Sequence, residues 1–284
     1  MRILRALFIA VLLLTPVPVL AYEVLVLQST HEKGYQEAVK GLRRECRASM
    51  RILVLSDYAE TDLTRIVREE RPRLVIAVGD RALKLAEKLR NIPVLHMMAL
   101  NPKPRQNVSG VGMLIDPARY LEVFAALGSR RVGVVCDPDR SGAYLKRAQA
   151  FARRSGIDLV VREVHAPKET LATLETLRGK VDAVWMLPDT TAVSSASVEA
   201  YFLFSQSEGV PVVSFAEAHL SIGGAVALAI DRFDIGRQLG EMANIVLQGE
   251  AREGMAPQAP RLVVSKFNDA VLRRLKITID AAKF

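Results

Sequence analysis

Short polar residues follow several apolar runs of this sequence, at positions where a strand would end and a helix begin. The clearest case is Asp189-Thr190-Thr191, which follows the apolar run 181–187 and Pro188. In an open α/β sheet, ligands bind outside the carboxyl ends of the strands, where carboxylates, hydroxyls and free backbone N–H groups meet. The pattern therefore predicts a site for a small polar ligand. Its candidate residues are Ser29, Thr30, Gly79, Asp80, Asn101, Asp137, Ser141, Asp189, Thr190, Thr191, Ser214, Phe215 and Glu217.

Some of these residues also fit purely structural roles. Asp80 has the position of an N-cap for a helix over Arg81–Arg90, and a capping carboxylate need not contact a ligand. Phe215 fits either stacking on a ligand or packing at a hinge. Trp185 lies in the middle of a predicted strand, where core packing is favoured over a stacking role.

The apolar pattern supplies the strands and helices that these residues require. A first series of strands is predicted at Tyr22–Leu27, Arg51–Leu55, Arg73–Val78 and Ile92–Met98, with helices between them. A second series is predicted at Arg131–Cys136, Leu159–Val164, Val181–Leu187 and Val210–Ser214, with a loop at 137–142. Alternating strands and helices are typical of parallel sheets covered on both faces. The predicted fold is therefore α/β, with two Rossmann-like lobes; a helix over Phe233–Leu247 and a tail strand over Ile277–Ile279 follow.

The first 21 residues have the pattern of a secretory signal peptide. Arg2 and Arg5 precede an apolar run over Ala6–Leu14, and small or apolar residues lead up to Tyr22. A membrane anchor is the alternative, but the run is much shorter than the roughly 20 residues that a spanning helix needs. We expect cleavage before Tyr22 and a periplasmic location.

The formal net charge is +8, and the basic residues are scattered along the chain. A nucleic-acid-binding protein would concentrate them on one face with aromatic residues between them, so a solvated surface is favoured and no nucleic-acid partner is expected. The two cysteines, Cys46 and Cys136, lie in apolar surroundings and are predicted to be buried thiols without a disulfide.

Catalytic motifs are missing from the sequence. It has no GxSxG, no Walker GxxxxGK[ST] and no GxGxxG after the first strand. A hydrolase using Asp137 and Asp189 is an open alternative, but we expect no enzyme and no cofactor. His96-Met97-Met98 resembles a soft-metal cluster, yet neighbours on a strand point to opposite faces, so no metal site is expected.

The chain resembles the exported ABC-transporter substrate-binding proteins of the tryptophan or aromatic-amino-acid type, which have the type I periplasmic-binding-protein fold. The order and spacing of several segments across most of the chain carry this resemblance. They are VIAVGDRALKLA (75–86), IPVL (92–95), NVSGVGMLID (107–116), RRVGVVCDPDRSG (130–142), VDAVWMLPDTTAVSS (181–195), GVPVVSFAE (209–217), GGAVALAIDRFDIGRQLGEMANIVLQGE (223–250) and FNDAVLRRLKI (267–277).

The resemblance implies two lobes joined by three crossing segments, which we place near 108–115, 215–225 and 255–262. It implies a first lobe over 22–110 with part of 225–260, and a second lobe over 111–224 with part of 260–284. It also implies a small polar, amino-acid-like ligand in the cleft between the lobes, hinge closure, and an ABC permease in the inner membrane as partner. We expect a monomer. The alternative function is a periplasmic ligand sensor of the same fold that feeds a signalling receptor.

One position departs from the family pattern. Family members commonly have Thr or Ser after the glycine that Gly79 matches, and this leaves the next helix N-terminus open to a ligand carboxylate. Asp80 places a negative charge there, which competes for the same N–H groups and repels an anion. The segment 137–142 also lacks the family's usual Asn and acidic residue. A cationic or neutral polar ligand is therefore a further hypothesis.

Overall fold

A computed structural model describes residues 22–100, 102, 105–249 and 255–279. The predicted signal peptide and Asn101 lie outside these residues. The described chain forms two separate sheets, one of five strands and one of six. Among the described residues, no helix has both the length and the apolar character needed to cross a membrane.

The first sheet is entirely parallel, with the strand order β2-β1-β3-β4-β5. Its central strands are buried on both faces, which explains why they read as continuous apolar runs instead of alternating patterns. Its strands are β1 (Val24–Gln28), β2 (Met50–Val54), β3 (Leu74–Val78), β4 (Val94–Met97) and β5 (Val108–Val111), and the helices among them are α1 (Lys33–Glu45), α2 (Leu63–Glu70) and α3 (Asp80–Ala86).

The second sheet has the order β11-β10-β9-β8-β6-β7, parallel except for β11, which runs antiparallel to β10. Its strands are β6 (Arg131–Cys136), β7 (Asp158–Glu163), β8 (Ala183–Trp185), β9 (Val212–Ser214), β10 (Val226–Ile230) and β11 (Val263–Phe267). The remaining helices are α4 (Pro117–Ala126), α5 (Pro138–Arg154), α6 (Thr170–Glu175), α7 (Val198–Glu208), α8 (Arg232–Gln248) and α9 (Asp269–Arg274). The predicted class, two α/β lobes with parallel sheets, is confirmed.

The residues predicted for the core lie there. Trp185 is fully buried in the second lobe, with its ring 4.8 Å from that of Tyr120 and 5.8 Å from that of Tyr144 between centroids. Cys46 and Cys136 are both buried and are free thiols in separate lobes.

Three details of the sequence-based prediction are wrong. Residues 215–225 do not cross between lobes: they join β9 to β10 within the second sheet, and the chain crosses where β10 ends and α8 begins. Residues 137–142 are not a loop, because α5 begins at Pro138, directly after its N-cap Asp137. Residues 277–279 are not a strand. The course of 215–225 depends on distant packing partners, whereas the start of α5 has a local signal in its N-cap Asp137 followed by Pro138.

Helix α8 follows the second sheet but packs on the first lobe, where it lies against α1. Their backbones approach closely at glycines. A Cβ at Gly236 would lie 1.8 Å from the Ala38 carbonyl oxygen, and a Cβ at Gly41 would lie 1.9 Å from that of Phe233. Ile235, Leu239 and Met242 then join the apolar core of the first lobe. A methyl group at either glycine would push α8 away from α1. Because α8 follows β10 of the second sheet, this contact fixes where the chain enters the first lobe.

We expect Gly236→Ala to lower the free energy of unfolding by about 1–3 kcal/mol, because its methyl group meets backbone that can yield only if the helices move apart. Urea unfolding followed by circular dichroism measures the change. Gly142→Ala is the matched control: it too lies within a helix, but its Cβ would have nothing closer than Pro138 Cβ at 3.9 Å. There alanine should be neutral or stabilising by up to about 1 kcal/mol. Equal stability of the two variants would contradict the proposed close contact.

Candidate functional site

The described candidate residues lie just beyond the carboxyl ends of five strands. Ser29 and Thr30 follow β1, and Gly79 and Asp80 follow β3 in the first sheet. In the second sheet, Asp137 and Ser141 follow β6, the segment Asp189–Thr191 follows β8 after three intervening residues, and Ser214 ends β9. Within each sheet these groups therefore share one edge, as expected for parallel strands.

In the first lobe, Ser29 and Gly79 form a tight junction that positions α3. Ser29 Oγ donates to the Val78 carbonyl oxygen at 2.9 Å and accepts from the backbone N–H of Ala82 at 3.0 Å. Gly79 has φ of 89°, and a Cβ there would lie 2.7 Å from Ser29 Oγ and 2.8 Å from the Tyr35 hydroxyl oxygen. Only glycine fits at position 79. The Ser29 hydroxyl is bonded to the start of α3 and to Val78.

Asp80 does not cap the helix. Gly79 is the N-cap residue, and the Asp80 carboxylate accepts instead from the backbone N–H of Leu100 at 3.0 Å, so the capping prediction is wrong. The bond holds the segment after β4, where Met98 turns the chain with φ of 59°. Asp80 nevertheless stays exposed. Burial is the main reason that the pKa of Tyr35 is raised, and the charges of Glu32 and Asp80 add to it. Sequence reasoning did not single out Tyr35.

In the second lobe, Asp189 is the centre of a buried network. Its side chain is almost fully buried, and Oδ2 accepts from the Asp137 backbone N–H at 2.9 Å and from Ser141 Oγ at 2.7 Å. Oδ1 accepts from the backbone N–H groups of Thr191 and Ala192, each at 3.0 Å. The four bonds join the loop after β8 to the start of α5 and leave the carboxylate no free acceptor geometry for a ligand.

Asp137 and Thr191 extend this network to the surface. Asp137 caps α5 by accepting from Asp139 N at 3.0 Å, and it accepts from Thr191 Oγ1 at 2.8 Å. The bond from the Thr191 hydroxyl is the main reason that the pKa of Asp137 lies below its usual range. Thr191 Oγ1 in turn accepts from Arg140 Nε at 2.9 Å.

Arg140 is the residue that sequence reasoning missed. Its side chain is about half exposed, and its Nε is held by Thr191 and lies 3.5 Å from Asp137 Oδ2. Its two terminal amino groups have no hydrogen-bond partner among the described residues. A guanidinium fixed on one edge and open on the other is suited to a bidentate contact with a carboxylate. The available signal was its place in the first turn after β6, four residues beyond the end of an apolar run.

The remaining candidates have varied surroundings. Ser214 is fully buried and donates to the Ala216 carbonyl oxygen at 3.2 Å. Phe215 is half-buried and packs edge-to-face on His219 at 5.1 Å between ring centroids. Glu217 forms an exposed ion pair with Lys266 at 2.6 Å. Thr30 donates to Glu32 at 3.0 Å, and Thr190 is exposed without a bond to any described residue.

Comparison with known proteins gives a family match over most of the chain. The family model described as "ABC transporter substrate binding protein" matches residues 29–282. A curated relative, the "Tyrosine-binding protein" of Clostridioides difficile, is 21% identical over 193 residues, which are 63% of this chain and 55% of that protein. The chain thus spans about half the length of that relative.

Two solved structures have a similar fold. The ABC domain from Streptococcus pneumonia in complex with L-Trp has a TM-score of 0.63 at 22% identity, with 92% of this chain and 97% of that chain covered. The ligand-free, open structure of a substrate binding protein with adhesive properties from Clostridium difficile has a TM-score of 0.70 at 17% identity, with 92% and 96% covered. At these sequence identities, the two structures show a shared fold alone.

The network predicts that Asp189 is structural. We expect Asp189→Asn to lower the free energy of unfolding by about 3 kcal/mol, because an amide nitrogen would face N–H or O–H donors where the carboxylate oxygen accepted two bonds. Urea unfolding measures the loss. Thr190→Val, at the neighbouring exposed residue, is the control and should change stability by no more than about 0.5 kcal/mol. An Asp189→Asn protein as stable as the native one would mean that the buried carboxylate does not hold the fold.

Proposed function

The chain belongs to the ABC transporter substrate binding protein family, and we propose that it captures an amino acid between its two lobes and delivers it to an ABC importer. The family binds substrates and is not a family of enzymes. In the proposal the protein acts as a monomer in the periplasm after cleavage before Tyr22, and its partner is a permease in the inner membrane.

The observation that carries the proposal is the pair of opposite charges at the two carboxyl edges. Asp80 presents an exposed carboxylate in the first lobe, and Arg140 presents a half-exposed guanidinium in the second. An amino acid is a zwitterion, so its ammonium suits Asp80 and its carboxylate suits Arg140. The charge of Asp80 then disfavours a carboxylate only at α3 and does not exclude amino acids as a class.

Opposite charges on different lobes also supply a reason for closure. A ligand shifts a conformational equilibrium only through a difference in its affinity for the two states. A zwitterion that contacts Asp80 and Arg140 together binds the closed form more tightly than it binds either lobe alone. The names of the relatives favour an aromatic side chain, and Tyr35 beside Gly79 offers an aromatic surface next to Asp80.

The first test is mass spectrometry of residues 22–284, purified without denaturation and compared before and after unfolding. We expect a released amino acid, because ligands that stabilise a closed form dissociate slowly. Release of a sugar or of a phosphorylated metabolite would contradict the proposal. If the protein is recovered without a ligand, it is titrated with L-tyrosine and then with the other standard amino acids. Failure of every one of them to bind would also contradict the proposal.

The charge assignment is tested by calorimetric titration with three matched ligands: L-tyrosine, tyramine, which lacks the carboxylate, and hydroxyphenylpropionate, which lacks the ammonium. Arg140→Gln should weaken the binding of L-tyrosine about 10- to 100-fold, since it removes a charge-assisted hydrogen bond of about 1.5–3 kcal/mol. The affinity for tyramine, which has no carboxylate, should not change. Asp80→Asn should weaken the binding of L-tyrosine by a similar factor and leave the affinity for hydroxyphenylpropionate unchanged. If tyramine binds native protein as tightly as L-tyrosine, Arg140 does not hold the carboxylate.

A further inference from the structure

Residues 258–262 precede β11 and return the chain from α8 to the second sheet, and we call them the return segment. Its first residue is bonded to the edge of the first sheet. The Gln258 backbone N–H donates to the Gly110 carbonyl oxygen, and the Gln258 carbonyl oxygen accepts from the Gly112 N–H, both at 2.9 Å. Gln258 thus forms a parallel bridge beside Val111 of β5. The return segment therefore begins as part of the first lobe.

The buried side chain of Gln238 holds the middle of the return segment on α8. Its Nε2 group donates to Gln258 Oε1 at 2.7 Å and to the Ala259 carbonyl oxygen at 3.1 Å. Its Oε1 atom accepts from the Arg261 backbone N–H at 3.3 Å. A buried amide that has both of its ends bonded to one segment fixes the path of that segment against the helix.

The side chain of Arg261 fastens the end of the return segment to the same helix. Its Nε and one terminal amino group donate to the two carboxylate oxygens of Asp234, at 2.9 and 3.0 Å. Its other terminal amino group donates to both carboxylate oxygens of Glu241, at 3.0 and 2.7 Å. The bond from Arg261 is the main reason that the pKa of Asp234 lies below its usual range. One guanidinium thus bridges roughly two turns of α8.

The chain leaves the first lobe immediately after Arg261. The Leu262 carbonyl oxygen accepts from the Asp231 backbone N–H at 3.2 Å. The next residue, Val263, already pairs with Ile230 in the antiparallel ladder between β11 and β10. The boundary between the lobes therefore lies at Leu262 on the return segment and at Asp231 on the strand that leads into α8.

The crossing segment that follows β5 changes lobes just as abruptly. Met113 packs against the core of the first lobe, and its neighbour Leu114 packs against the core of the second. All three connections between the lobes thus have a boundary of one or two residues, with backbone bonds or core contacts to a single lobe on each side.

We propose that Arg261 makes the return segment a rigid part of the first lobe, so that lobe closure bends the chain at these boundaries and not within the segment. A hinge confined to a few residues limits the directions in which the lobes move. It keeps Asp80 and Arg140 on a course that brings both to one ligand, and in this respect the inference rests on the proposed function. Arg261 is then a positioning residue, which acts without touching the ligand.

The test measures the distance between spin labels on the two lobes by double electron–electron resonance, after dialysis to remove ligand. The labels are attached through Lys40→Cys on α1 and Lys146→Cys on α5, which are exposed positions, whereas the two native thiols are buried. We expect Arg261→Gln to broaden the distribution of distances, because the freed return segment can then bend as well.

Arg178→Gln is the matched control for the distance measurement. Arg178 also bridges two carboxylates, those of Glu175 and Glu208, and its side chain is similarly exposed, but all three residues lie in the second lobe. Its loss should leave the distribution unchanged. Glu241→Gln removes only the outer ion pair of Arg261 and should broaden the distribution less, and it decides the question if circular dichroism shows that Arg261→Gln is unfolded.

Calorimetric titration supplies a second readout that a general loss of stability would not give. Arg261→Gln should weaken the binding of L-tyrosine about 2- to 30-fold, since closing a wider ensemble of orientations costs more free energy. The affinity for tyramine, which in the proposed function contacts Asp80 of the first lobe alone, should not change.

Two results would overturn the hinge proposal: a folded Arg261 or Glu241 variant with the distance distribution of the native protein, or equal broadening in Arg178→Gln. The distances are measured without ligand, so they decide on the hinge even if no amino acid binds. A protein that binds no amino acid but shows the expected broadening would contradict the proposed function and leave the role of Arg261 in place.

Discussion

The close packing of α8 on α1 is the contact on which the two-lobed arrangement depends. Strand β10 ends in the second sheet, yet the helix that follows it contributes Ile235 and Leu239 to the core of the first lobe. Glycines at the contact bring the two backbones together, so the apolar faces of both helices can bury fully. The chain then returns from α8 to β11 and closes the second sheet. The helix pair thus fixes one of the places where the chain passes between two sheets that share no strand.

In the second lobe, Asp189 has a structural role, whereas the terminal amino groups of Arg140 have no partner among the described residues. Asp189 uses four protein donors to join two loops, and Thr191 passes the network on to Arg140. Buried, fully satisfied carboxylates are costly to disturb, so they fix the start of α5 rigidly. Arg140 is thereby oriented by the protein itself, and in the proposed function this reduces the entropy lost on binding.

Charge is distributed unevenly over the first lobe. The sequence has its basic residues scattered along the chain, which favoured a uniformly solvated surface. Folding places Arg68 of α2, Lys84 of α3 and Arg73 before β3 along two depressions of the first lobe that share Lys88. Glu69 and Glu70 of α2 are paired with Arg65 and Arg51, and no carboxylate is among the described residues that line either depression. Cations from neighbouring elements thus form one electrostatic feature of the first lobe.

The sequence by itself determined the two α/β lobes, because parallel strands buried on both faces must read as apolar runs between amphipathic helices. It also placed the candidate residues at the carboxyl edges, since that position follows from strand direction alone. Only the tertiary structure decided what each side chain does there. Asp80 bonds to Leu100, Ser29 holds α3, and two of the four donors to Asp189 come from Asp137 and Ser141, about fifty residues away. Hydrogen-bond partners and crossing points are set by contacts distant in sequence, and local pattern carries no record of them.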